Sequence, residues 1–151
     1  MTHQSIRHSA EHGQSLMEFA FGLVLLLLLV SGIVDASRAI STYLSMRDAA
    51  QEGALYGSIN PSATSEIANR TRTASNNLSG MGSNISIIVT PTVPGLLCAG
   101  ATNGVTHGIK VRIVYANFPL TMPLIGAFIG NHQTISISAE VIDSIVIPKC
   151  G

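Results

Sequence analysis

Chemistry in a chain begins with the groups able to move a proton, attack a carbon or hold a metal, and here they are few. The 151 residues carry eight Lys and Arg, eight Asp and Glu, five His and two Cys. No Ser elbow of the GxSxG type, no phosphate-cradling P-loop and no HExxH zinc motif occurs. Cys98 and Cys150 have no CxxC neighbour, and no His/Cys set has zinc spacing. Cys98 has no His close in sequence to activate it. His107 falls at the start of an expected strand and His132 just before another, places where histidine is ordinarily solvated or structural. No catalytic residue, cofactor site or metal site is expected, and the chain does not read as an enzyme. An enzyme reading would need activity that depends on His107, His132 or Cys98.

Charge and composition narrow the partners. Formal net charge is zero, with 11% charged and 46% hydrophobic residues. So apolar a chain is not intrinsically disordered. Without a cluster of cations to displace phosphate counterions, no nucleic-acid partner is expected. Aromatics make up 5% with no Trp, so no stacking platform and no small-molecule substrate is suggested.

The apolar excess is concentrated. Residues 19–34, FAFGLVLLLLLVSGIV, contain no charge. A helix over 14–34 is about 31 Å long, the thickness of a bilayer's hydrocarbon core, and Glu18 is its one internal charge. The run has no polar face, unlike a core helix of a soluble domain. It reads as a membrane span. A cleaved secretory signal ending near Ala36, releasing a soluble domain from about Ser37, is the competing reading. Against it stand Glu18 at the start of the apolar region and a helical pattern that continues past the cut. Arg7 precedes the span while Arg38 and Arg47 follow it, so charge alone leaves the orientation open.

Beyond the span, Ala36, Ala39, Ile40, Tyr43, Leu44 and Ala50 recur at helical spacing. No Pro interrupts 14–60, so one helix is expected to run to about Tyr56, about 65 Å in all. Gly57 is the expected residue just past the helix end, and Asn60-Pro61 the expected start of a second helix over 61–77. Ala49, Gly53 and Gly57 form a small-residue stripe suited to close packing, against the chain's own head or another subunit. Strands are expected over 84–90, 107–115 and 133–147, each alternating apolar and polar residues. The fold class is therefore α+β: a long N-terminal transmembrane and stalk helix, a short second helix and a three-stranded antiparallel sheet. Residues 117–132 form an unusually apolar connection. Phe118, Leu120, Met122, Leu124 and Phe128 either complete the core or make a partner-binding or membrane-grazing patch. A disulfide between Cys98 and Cys150 is the expected state if the head lies outside the membrane; in the cytosol both would be thiols.

The segment His12-Gly13-Gln14-Ser15-Leu16-Met17-Glu18-Phe19, leading straight into the apolar run, resembles the processing signal of type IV prepilins. With Ser37-Arg38-Ala39 and Ala49-Ala50-Gln51-Glu52-Gly53-Ala54 it resembles the TadE-like family of minor pilins, or pseudopilins, of the Tad apparatus that assembles Flp pili in bacteria. Family members often carry a Pro within the span; none occurs here. The resemblance implies a type IV pilin-like fold and cleavage by a prepilin peptidase between Gly13 and Gln14. Its division of the chain is a cytoplasmic leader over 1–13, a span over 14–34, a stalk over 35–57 and an extracytoplasmic domain over 58–151. It also implies an inner-membrane location with the N-terminus cytoplasmic and the head periplasmic or extracellular. The implied partners are the peptidase, other pilins, the assembly platform and the lipid bilayer. Glu18 would pair with the α-amino group of Gln14, its own or a neighbour's. The residues alone also allow Ser15 and Glu18 to form a helix-capping box. The alternative function is a single-pass anchored adhesion or binding protein that enters no fibre.

Overall fold

The computed structural model describes residues 8–75, 78, 82–92, 107–122 and 133–146. Helix α1 spans His8–Ile59 and helix α2 Thr64–Thr73; a single 3-10 turn covers Gly82–Asn84. Strands β1 (Ile85–Pro91), β2 (Gly108–Pro119) and β3 (Thr134–Ser144) form one antiparallel sheet in the order β1-β2-β3. This is the expected α+β arrangement. The chain divides into two compact units. One comprises Met1–Ser37 with Leu120–Gln133, the other Arg38–Pro119 with Thr134–Gly151.

In the first unit, α1 begins six residues before the expected 14. His8 and His12 lie in it; His3 is outside the described residues. Ser15 and Glu18 consequently sit inside the helix. The backbone N–H groups a capping box would satisfy already have i−4 carbonyl partners there, and the capping role is lost. The apolar run stays bare: Phe19, Phe21 and Leu25 are each about two-thirds exposed or more, at 72%, 66% and 67%. This helix is long and apolar enough to cross a membrane, and none of its most apolar window is buried.

The second unit holds the core. Met46, Ala49, Ala50 and Ala54 of α1 are buried with Ile67 of α2, Leu78, and the inward face of the sheet: Ile85, Ile109, Val111, Ile113 and Ala139. The expected helix face is only in part the buried one. Ala50 is buried but Ile40, Tyr43 and Leu44 are exposed, and burial falls instead on Met46 and the small residues Ala49, Gly53, Ala54 and Gly57. The reason is distance. A Cβ on Gly53 would run into the Thr71 hydroxyl, and one on Gly57 would stand 2.8 Å from Ile109 Cγ2 and 3.1 Å from Ile67 Cδ1. Small residues let α2 and β2 approach the helix backbone where larger ones would hold them off. The stripe Ala49, Gly53, Gly57 is thus packed within the chain's own head.

Gly57 does not end α1, which runs on to Ile59. The Ser58 carbonyl, one of the acceptors a helix end leaves free, receives the Val146 N–H at 3.1 Å. Asn60 and Pro61 do not open α2 either. Its N-cap is Ala63, without a side-chain cap, and Pro61 is fully buried in the connection. The helix is shorter than expected at both ends. β2 is longer than expected, because a bulge between Tyr115 and Phe118 lets pairing resume at Phe118↔Ile135. Gly82 turns the chain into β1 at φ +57°, a conformation glycine enters without strain.

The Gly53 contact generates a test. Alanine there gains up to about 1 kcal/mol of helix propensity, but overpacking against a Thr71 hydroxyl held on the Ile67 carbonyl at 2.7 Å costs about 1–3 kcal/mol. Gly53→Ala should lower the Tm of the detergent-solubilised chain. Adding Thr71→Ala should restore much of the loss. A single variant melting at or above the parent would contradict the packing described.

Candidate functional site

The sequence-derived site residues fall into separate groups. Gly13, Gln14, Glu18 and Phe19 occupy successive turns of α1 and all are exposed; a Cβ on Gly13 would meet nothing within 4 Å. Cys98, Cys150, Leu124, Phe128 and His132 lie outside the described residues. Phe118 belongs to no exposed patch. It is an inward residue of β2, 3% exposed, edge-on to Tyr115 with ring centroids 5.9 Å apart and with the Arg38 guanidinium 5.5 Å from its ring. The bulge brings it back to the core face, a register change that alternation alone does not announce. Leu120 and Met122 are half-buried. His107 is buried beside the first residue of β2, not solvated, and neither ring nitrogen has a hydrogen-bond partner. Among the described residues no three His, Cys, Asp or Glu side chains gather as metal ligands.

Two features escaped the sequence reading. The first is in the first unit. Asp35, the charge that ends the apolar run, is only 4% exposed. Its Oδ2 accepts the backbone N–H of Thr121 at 2.7 Å and of Met122 at 2.6 Å. The Met122 thioether lies 3.6 Å from where a Cβ on Gly32 would stand. The Leu120 N–H donates to the Gln133 carbonyl at 2.8 Å, and Gln133 adopts a left-handed φ of 50°. An aspartate after an apolar helix reads as a solvated boundary charge, so only the fold could reveal its partners.

The second is in the second unit. An open polar cavity of about 490 Å³ between α1 and α2 is lined by Ser45, Asp48, Glu52, Arg70, Thr73 and Ser75, among others. Next to it the Tyr56 hydroxyl donates to Glu66 Oε2 at 2.9 Å, while Arg70 stacks 4.2 Å from the Tyr56 ring centroid. The cavity presents hydroxyls and charged groups of both signs.

The class is defined by its elements, an α+β unit in a chain whose N-terminal helix is long and apolar enough to cross a membrane. Residues 13–55 match the family model described as TadE-like protein. No curated protein and no solved structure matches the chain. The match ends within α1, so α2 and the sheet lie beyond it.

Tyr56 gives this region a titration. Its hydrogen bond to Glu66, then desolvation and the Glu66 charge, raise its pKa above the ordinary 10.0, against a lowering by Arg70. The neutral phenol is the favoured form in the fold. Its stabilising effect is complete below pH 10.0 and disappears as pH rises through the folded value. Subtracting the phenolate absorbance of Tyr56→Phe from that of the parent should give a midpoint above 10.0, shifted down by Glu66→Gln. A difference midpoint at or below the ordinary value would contradict the assignment.

Proposed function

We propose that the chain is a minor pilin or pseudopilin of a Tad-type pilus or related secretion machine, processed by a prepilin peptidase between Gly13 and Gln14. The observation that carries this reading is the family match over 13–55 coinciding with an uncovered apolar helix. The protein would reside in a bacterial inner membrane with its N-terminus cytoplasmic and its head periplasmic or extracellular. Its partners would be the peptidase, other pilins and the assembly platform. Its action is mechanical. The helix stores the subunit in lipid, and contacts with neighbouring pilin helices replace lipid contacts over the same surface as the subunit is extracted.

The proposed cut falls inside α1, and a peptidase needs an extended backbone at the bond it hydrolyses. Gly13 is five residues from the start of the helix, where fraying is easiest. Glycine also weakens helix locally by about 1 kcal/mol relative to alanine. It therefore serves twice, as a soft point in the helix and as an open space for the enzyme's approach. Glu18 is an exposed carboxylate at the head of an apolar surface. In lipid it needs a counter-charge, and the α-amino group newly freed on Gln14 lies one helical turn away.

Intact-mass measurement of the membrane-extracted protein tests the reading. The mature chain should lack residues 1–13, and Gly13→Leu should leave an unprocessed, membrane-retained precursor. A parent protein that keeps residues 1–13 would favour the anchored binding protein that enters no fibre. Normal processing of Gly13→Leu would refute the cleavage assignment.

A further inference from the structure

Asp35 stands where the uncharged run 19–34 ends, so in the membrane reading it marks the outer boundary of the hydrocarbon. An aspartate at that level would ordinarily turn to water. This one is almost fully buried and spends one oxygen on two successive backbone amides, Thr121 and Met122. Charge-assisted hydrogen bonds this short are among the strong ones. They hold an irregular piece of backbone flush against α1, with the Met122 thioether lying over Gly32 one turn nearer the apolar run. The residue before them is also satisfied, because Leu120 N–H donates to Gln133. Three consecutive amides of a non-repetitive segment therefore have acceptors from within the protein. Backbone in water needs no such arrangement. Backbone at a lipid boundary does, since each unsatisfied group there costs several kcal/mol.

The sequence of the segment agrees. Leu120–Gln133 contains no Asp, Glu, Lys or Arg, and seven of its residues are Leu, Met, Ile, Ala or Phe.

We propose that the backbone at Leu120–Met122 is a second lipid contact of the first unit, seated at the outer boundary of the bilayer beside residues 32–35, with Asp35 as its positioning residue. The proposal rests on the membrane reading of α1. The occupant is the bilayer rather than a protein because the contact lies at the level of the helix end. Gly32 and Asp35, which it touches, border a surface for which lipid is already the cover.

The chain has no Trp, so single-Trp variants of the full-length protein report depth without background. Each is reconstituted in phosphatidylcholine–phosphatidylglycerol vesicles brominated either near the headgroup or near the chain end. Leu27→Trp monitors the span, Thr121→Trp the proposed contact, and Ser83→Trp, exposed on the 3-10 turn, water. Leu27→Trp should be quenched by deep bromine and Thr121→Trp by shallow bromine, with Ser83→Trp quenched by neither. Adding Asp35→Ala should drop Thr121→Trp to the Ser83→Trp level and leave Leu27→Trp unchanged. Asp35→Asn, which keeps a neutral acceptor, should retain part of the quenching. Thr121→Trp unquenched while Leu27→Trp is quenched overturns the lipid contact and leaves the anchor standing. Thr121→Trp shielded from aqueous acrylamide yet untouched by bromine assigns its cover to protein and also overturns it. Shallow quenching that survives both Asp35 variants refutes the positioning role. An unquenched Leu27→Trp overturns the anchor itself, and the proposal with it.

Discussion

Apolar surface that finds no cover in its own chain must be covered by something else, and that constraint governs this protein. Among the described residues most side chains of 19–34 are exposed, and the Met122 side chain is what approaches them, at Gly32. A soluble protein would lose stability and solubility by presenting such a surface to water. Lipid, or the matching surface of a neighbouring helix, removes the difficulty. The proposed pilin role uses both covers in turn.

The same helix solves the opposite problem further on. In the head it must meet α2 and β2 closely, and it does so by having almost no side chain there: Ala49, Ala50, Gly53, Ala54 and Gly57. Glycine inside a helix lowers its intrinsic stability, and the closer contacts with Ile67, Thr71 and Ile109 offset this. One element thus changes from bulky and uncovered to small and buried, and the change follows the composition of its faces.

Polar groups follow the same logic of cover. The Ser58 carbonyl accepts the Val146 N–H, and the Asp35 carboxylate accepts the amides of Thr121 and Met122. Among the described residues His107 is the exception, buried with two unpartnered ring nitrogens. The Lys110–Glu140 pair on the open face of the sheet, 3.1 Å apart and over a third exposed at each end, adds little to stability.

Local pattern was enough to establish the long Pro-free helix, the three alternating strands, the fold class and the resemblance over the first part of the chain. Each depends on spacing between residues close in sequence, and such spacing survives without knowledge of what packs against it. Three things were decided only by tertiary structure. The buried face of α1 is the small-residue one, because closeness of approach outweighed hydrophobicity. Phe118 is core rather than loop, because a bulge shifted the register of β2. Asp35 is a buried acceptor rather than a solvated boundary charge, because its partners lie some 86 residues away in sequence. All three depend on contacts between distant residues, which neither periodicity nor composition records.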